Sequence, residues 1–418
     1  MMTKRRRYLC YVIVAAFAVA VAPAAMAQTA TVQAGAENKS AVAENDLIFI
    51  DTGFENASPV WYEMIEGGAA VHLLYDHERN SPNRAAGHMH IRLETRPGAQ
   101  LMLEVRNLDN VYNGRPGSVA NEMHSLVVSE DGRNWRAVPT EVFDHHVRVQ
   151  LSSPGNQLYV ARVEPYRLSD LERMLQTIRK HPQVSIETIG QTVEGRNLEM
   201  IRLGSLTAPN HVFVRARAHA WEAGGNWIVE GLVGRALRDD QEAVNFRKEC
   251  CLWILPMANK DAVARGLTRF NLRGRDLNRD WSAPADPQTA PENHALEKWL
   301  EAKLNAGQRI DFALEVHNDG NGRLHLNSPP EADRLRYGQR MKKFEDLLRA
   351  HTWFSVGTTQ VVHGTGTLAN GWQNRYGIDG AVHEFNCQWI ERSKEAPLAK
   401  HWLEYGEGLM LVFRDYFK

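Results

Sequence analysis

Beyond the first 27 residues no stretch is apolar enough to cross a bilayer as a helix, so a body of membrane-spanning helices is excluded. Cysteine is scarce, four in 418 residues, too few for a disulfide scaffold. Cys10 lies in the leader described below. Adjacent Cys250 and Cys251 would pair with each other only under strain, so at most one ordinary bridge, to Cys387, is available, and free buried thiols are expected. No excess of positive charge exists: without the four cations of the leader, 45 basic side chains face 50 acidic ones. That balance argues against nucleic-acid binding, which needs a basic face. Internal repeats and low-complexity tracts are missing after the first 45 residues.

What is present begins with Lys4, Arg5, Arg6 and Arg7 ahead of the apolar run Tyr8 to Val21 and the small-x-small triplet Ala25-Met26-Ala27. This predicts a signal peptide over 1–27, cleaved after Ala27, and hence a periplasmic or secreted protein with no stable membrane span after cleavage. Arg5-Arg6-x-Tyr8-Leu9 has a weak likeness to a twin-arginine signal, leaving the export route open. Residues 28–45 carry little apolar periodicity and read as a flexible lead-in.

Between 46 and 162 short alternating runs, such as His90-Ile-Arg-Leu-Glu and Leu101-Met-Leu-Glu-Val, are separated by turn pairs such as Asp131-Gly132 and Pro154-Gly155. The pattern predicts an antiparallel β-sandwich. From 163 to 418 the pattern changes: Ser169-x-x-Glu172 reads as a capping box before a helix, and strand-like runs then alternate with helical ones. The expected fold is α/β, a mixed, mostly parallel sheet flanked by helices. Ligands of such sheets gather at the carboxyl ends of the strands.

Three His-x-x-Glu spacings occur, and the spacing alone is weak evidence for a metal. His294/Glu297 and His401/Glu404 lie in amphipathic helical patterns and are expected on solvated faces. His219/Glu222 differs, because it follows the strand-like run His211 to Ala218 and precedes Ala223-Gly224-Gly225 and a helix. A catalytic zinc takes three protein ligands and keeps one position open. His317, which ends the strand-like run from Ile310 and leads into the loop from Asn318, is the best third ligand, although a hydrogen-bonded structural histidine fits the same sequence. Glu384, inside Gly380-Ala-Val-His-Glu-Phe, is a carboxylate that would be costly to bury without a partner. Arg269, Arg273, Arg275 and Arg279 surround Asn278 and offer either a solvated basic loop or a carboxylate clamp.

Together these pieces resemble the zinc metallocarboxypeptidases of the carboxypeptidase A type, most closely the cytosolic-carboxypeptidase branch and its bacterial relatives. The likeness covers about the last 255 residues, through His219-Ala-Trp-Glu222, Asn259-Lys-Asp261, Arg269 to Trp281 with Asp276-Leu-Asn278-Arg279, Glu315-Val-His317 and Glu384. The resemblance implies one Zn²⁺ held by His219, Glu222 and His317, with Asp276 orienting the His219 ring. It implies that Asn278 and Arg279 grip the free carboxylate of a peptide or protein C-terminus, that Arg269 stabilises the oxyanion, and that Glu384 activates the water. It also implies a β-sandwich ahead of the catalytic part. Branch members that trim acidic tails carry an arginine after a Gly-Thr pair, whereas Gly364-Thr365-Gly366-Thr367 has threonine, so neither glutamate specificity nor tubulin carries over. The capping tyrosine of carboxypeptidase A has no secure counterpart, Tyr376 being a candidate. Two other readings stay open: a zinc amidase acting on N-acyl amino acids or cell-wall peptides, and a non-catalytic binding protein.

Overall fold

The computed structural model describes residues 45–360 and 366–418. The signal peptide and, Asn45 apart, the lead-in lie outside the described residues, as do Gly364 and Thr365.

Leu47 to Ala161 form two five-stranded sheets. One runs Leu47–Asp51, His90–Thr95, Gln157–Ala161, Ser125–Ser129, Arg136–Pro139, and the other Glu141–Val142, Val147–Ser153, Ala99–Arg106, Gly68–Leu73, Val60–Ile65. Val147, Val149 and Leu151 turn inward against Ile91, Leu93 and Leu103 while Arg148 and Gln150 turn out, the period-2 pattern read from the sequence. One pairing departs from the antiparallel expectation: Gly68–Leu73 runs parallel to Ala99–Arg106. Gly68 makes this approach possible, because a Cβ there would sit 1.8 Å from the Met102 carbonyl oxygen. A small four-stranded sheet of Asp76–His77, Arg84–Ala85, Asp109–Tyr112 and Arg115–Ser118 completes this half.

The helix Leu168–Ile178 starts two residues earlier than the Ser169 capping box predicts, with Arg167 at the N-cap. Asp170, not Glu172, reaches back to accept the Arg167 backbone N–H at 2.8 Å, and Ser169 instead donates to Glu55 at 2.7 Å.

The sheet of the C-terminal half has eight strands in the order Val184–Gln191, Asn197–Leu203, Cys250–Leu255, Asn210–Ala216, Phe312–Asp319, Gly380–Asn386, Leu324–Leu326, Thr358–Gln360. The four central strands are mutually parallel, and the strands flanking them pair antiparallel. Central strands are buried on both faces: Val212, Val214, Leu314 and Val316 meet the helices Gly224–Ala236, Glu331–His351 and Ala399–Tyr416, while Phe213 and Ala313 meet Pro291–Asn305 and Leu368–Tyr376. Each fully buried aliphatic or Phe side chain contributes roughly 1.5–3 kcal/mol. From Asn210–Ala216 the chain crosses to Cys250–Leu255 on one side, and the strands beyond Phe312–Asp319 lie on the other. The order therefore reverses between Asn210–Ala216 and Phe312–Asp319, the place where such sheets open a crevice at their carboxyl ends.

Asn45–Lys418 form one unit. Its two halves are joined by directed contacts: the Asn56 side chain donates to the Val263 carbonyl at 2.8 Å, and Gly266, at φ +63°, lies where a Cβ would be 1.9 Å from the Ala57 carbonyl oxygen. Cys250, Cys251 and Cys387 are free and buried, as expected. No helix of the described residues is long and apolar enough to cross a membrane.

Candidate active site

The strand Asn210–Ala216 ends at Arg217, which takes a positive φ of 61° and turns the chain sharply. Such a conformation is costly for a residue with a Cβ. Here the buried Arg217 guanidinium latches the turn, donating to the Ala220 carbonyl at 2.7 Å and to Asn226 Oδ1 at 2.9 Å. His219 and Glu222 lie in that turn, ahead of the helix Gly224–Ala236. Gly224 lets the helix start press against the sheet, since a Cβ there would meet the Asn318 side chain at 2.6 Å. Nothing in the sequence pattern marked Arg217; its signal is the strained turn itself.

His317 lies in the neighbouring strand Phe312–Asp319, which runs two residues further than the sequence run, through Asn318 and Asp319. The three expected ligands converge. His219 Nδ1 is 2.8 Å from Glu222 Oε1, His317 Nδ1 is 2.7 Å from Glu222 Oε2, and the two Nδ1 atoms are 3.2 Å apart. Among the described residues this is the one such group of three whose ligand atoms gather around a single point, and all three are buried. Ligand atoms around a tetrahedral zinc at bond lengths near 2.1 Å stand about 3.4 Å apart, a separation the three side chains reach with small shifts, so the set fits that ion.

Each ring is fixed from behind. His219 Nε2 lies 3.1 Å from Asp276 Oδ1, and His317 Nε2 lies 3.0 Å from Glu315 Oε1. Carboxylates on the far nitrogens leave Nδ1 of both rings for a metal. Glu315 was part of a recognised motif but had no assigned role. Its position two residues before His317 on one strand, hence on the same face, was the available signal. It is itself ion-paired with Arg215, both fully buried, and Arg215 also donates to the Leu277 carbonyl at 3.1 Å. Burial alone would raise the Glu222 and Asp276 carboxyls, but His219 and His317 hold Glu222, and Arg269 and His219 hold Asp276, well below the usual range. This is an anionic pocket suited to a cation.

Arg269 carries two hydrogen bonds of the pocket: Nε donates to Asp276 Oδ2 at 2.8 Å, while Nη1 lies 3.5 Å from His219 Nδ1. One carboxylate, Asp276, thus orients both His219 and Arg269. Arg279 donates from Nη1 to the Asn278 carbonyl at 2.8 Å and lines, with Arg269, Asp276 and Tyr112, a cavity of about 380 Å³. Asn278 sits differently from what the resemblance implies. It is 3% exposed, its Nδ2 lies 3.1 Å from His317 Nε2, and its Oδ1 accepts the Leu368 N–H at 3.0 Å. In this form it stands behind His317 and outside the cavity lining.

Glu384 is the register partner of His317 on the adjacent parallel strand. Burial raises its carboxyl well above the usual range, against the pull of His317, and its buried Oε2 has no hydrogen-bond partner among the described residues. An orphaned carboxylate oxygen beside a cation pocket is matched to a water on that cation.

The other His-x-x-Glu pairs do not join the cluster; the solvated face expected for them holds at exposed Glu404 and part-buried His294 but is corrected at Glu297 and His401. Glu297 is 1% exposed and ion-paired with Arg375, and His401 is buried and accepts the Leu398 N–H at 3.0 Å as a helix cap. The Tyr376 hydroxyl bonds to Glu297 and Glu301, at 3.4 and 3.3 Å, away from the cavity lining. Thr367 caps the helix Leu368–Tyr376.

Residues 171–328 match the family model described as zinc carboxypeptidase. Cytosolic carboxypeptidase 6 of Caenorhabditis elegans is 30% identical over 183 residues, 38% of this chain and 39% of that protein. The chain thus spans well under half the length of that relative. Among solved structures, a metallo-carboxypeptidase from Burkholderia cenocepacia superposes with a TM-score of 0.77 at 20% identity, covering 88% of this chain and 98% of that one. A metallo-carboxypeptidase from Pseudomonas aeruginosa in complex with (2-guanidinoethylmercapto)succinic acid gives 0.76 at 20% identity, over 89% and 100%. These matches bear out the family resemblance read from the motifs and the α/β fold with a sheet domain ahead of it.

Proposed function

We propose that this chain is an exported zinc-dependent carboxypeptidase that removes the last residue of peptides or proteins bearing a free C-terminal carboxylate. The observation that carries the reading is the convergence of His219 Nδ1, Glu222 and His317 Nδ1 beside Glu384, whose buried Oε2 has no hydrogen-bond partner among the described residues.

Zinc, when bound by these three side chains, supplies Lewis acidity and makes a water acidic near neutral pH. Glu384 takes a proton from the attacking water and returns it to the departing amine, the work of a general base then acid. Its raised proton affinity, caused by burial, suits the second half of that task. Arg269, held charged by Asp276 despite its burial, faces the negative charge that develops on the carbonyl oxygen. Arg279 takes the substrate carboxylate in the cavity, and Asn278 would join it by exchanging its contact with His317. The dicarboxylate seen with the Pseudomonas neighbour is the kind of ligand a guanidinium-lined cavity would hold. Export rests on the Lys4-to-Ala27 pattern.

The test is a pair of peptides that differ in a free or amidated C-terminus, incubated with zinc-loaded protein and read by mass spectrometry. Loss of one C-terminal residue from the free acid alone supports the reading. Equal turnover of the amide, or turnover of N-acyl amino acids alone, contradicts it.

A further inference from the structure

We propose that Asp76 and Tyr112, both in the small four-stranded sheet of the N-terminal half, are positioning residues for Arg269. That half is then a working part of the active site and not a separate recognition module. The inference rests on the reading of Arg269 as the partner of the developing oxyanion.

Arg269 is held at three places. Asp76 Oδ2 accepts the backbone N–H groups of Arg269 at 2.7 Å and Phe270 at 2.9 Å, which fixes the start of the side chain. The Tyr112 ring lies against the guanidinium, 5.1 Å from its carbon to the ring centre, and Asn110 Nδ2 donates to the Tyr112 hydroxyl at 2.8 Å, which fixes the ring. Asp276 binds the remaining edge. Two of the three come from the N-terminal half. The same hairpin also secures the far end of the loop: the Arg79 N–H donates to the Gly274 carbonyl at 2.7 Å, and Gly274, at φ +72°, leaves no room for a Cβ against the Arg79 nitrogen and His77 oxygen, each 2.9 Å away.

The chemistry of these contacts separates positioning from mere packing. Joining two halves needs apolar area, or neutral contacts such as that of Asn56 with Val263. Burying a carboxylate oxygen at the join is costly unless it is bonded, and Asp76 Oδ2 takes its bonds from the backbone of Arg269, the residue of the loop that reaches His219 Nδ1, and of the adjoining Phe270. An arginine has long rotamer freedom, and a group that must meet a transient charge is most effective when that freedom is already lost.

The test uses the zinc-loaded full chain and the variants Asp76→Ala, Asp76→Asn, Tyr112→Leu and Tyr112→Phe. Two quantities are read: amide hydrogen exchange across 268–276, and kcat and KM on a free-acid peptide, with zinc content measured throughout. Asp76→Ala is expected to expose the Arg269 and Phe270 amides and lower kcat at least tenfold, with KM within twofold and zinc unchanged. Tyr112→Leu should lower kcat in the same manner. Asp76→Asn keeps an acceptor oxygen and Tyr112→Phe keeps the ring, so both should recover most of kcat. Wild-type kcat in Asp76→Ala and Tyr112→Leu, or unchanged exchange in Asp76→Ala, overturns the proposal. If the wild type releases no C-terminal residue, the carboxypeptidase reading fails by itself, while the exchange comparison still decides whether Asp76 anchors Arg269.

Discussion

His317 and Glu384 face each other in register on adjacent parallel strands. Partners in such a pair project from the same side of the sheet, with backbones about 4.8 Å apart. A metal ligand and a base are thereby set side by side by the sheet itself, although 67 residues separate them in the chain. His383, one position earlier, points to the opposite side and bonds to the Tyr405 hydroxyl at 2.7 Å.

From this placement, Glu384→Gln should abolish proton transfer while leaving the three ligands untouched. The expected loss in kcat is about 10²–10⁴-fold, with zinc content by atomic emission equal to wild type. Loss of zinc together with activity would make Glu384 a ligand.

How much of this was legible in the sequence depended on whether a residue's neighbours are local. His219 and Glu222 share one turn, so their context was readable, and the inward alternation of Val147, Val149 and Leu151 was equally local. His317 and Glu384 were marked by apolar runs and by family resemblance, but their adjacency is a strand-pairing fact no local pattern contains. The parallel insertion of Gly68–Leu73, the burial of Glu297 by Arg375 and the retreat of Asn278 behind His317 were illegible because each depends on a partner more than 30 residues away. Asp76 was invisible for the same reason, lying 193 residues before Arg269.

Glu315 links the metal pocket to the core through Arg215 and His317. Glu315→Gln should weaken zinc affinity about 10–100-fold, as loss of a carboxylate behind a ligating histidine does. It should also leave the Arg215 charge buried without its counter-ion, at a cost of roughly 3–5 kcal/mol. Zinc titration and thermal unfolding check the two effects separately. Full affinity with reduced stability would confine Glu315 to the Arg215 pair.

Burial pushes the Glu164 carboxyl from 4.5 up to about 7, although it accepts the Ala399 N–H at 2.8 Å. A raised carboxyl favours the protonated folded state, so its contribution is fully present below pH 4.5 and is lost as pH rises through 7. Glu164→Gln keeps an acceptor and cannot ionise. Its Tm should match wild type near pH 5 and exceed it near pH 8; equal differences at both values would contradict the assignment.

The most direct measurement is anomalous diffraction at the zinc absorption edge from crystals of the zinc-loaded chain. One peak per chain is predicted, in contact with His219 Nδ1, a Glu222 oxygen and His317 Nδ1 and close to Glu384. A zinc peak elsewhere, or no peak in protein that has bound zinc in solution, would contradict the account.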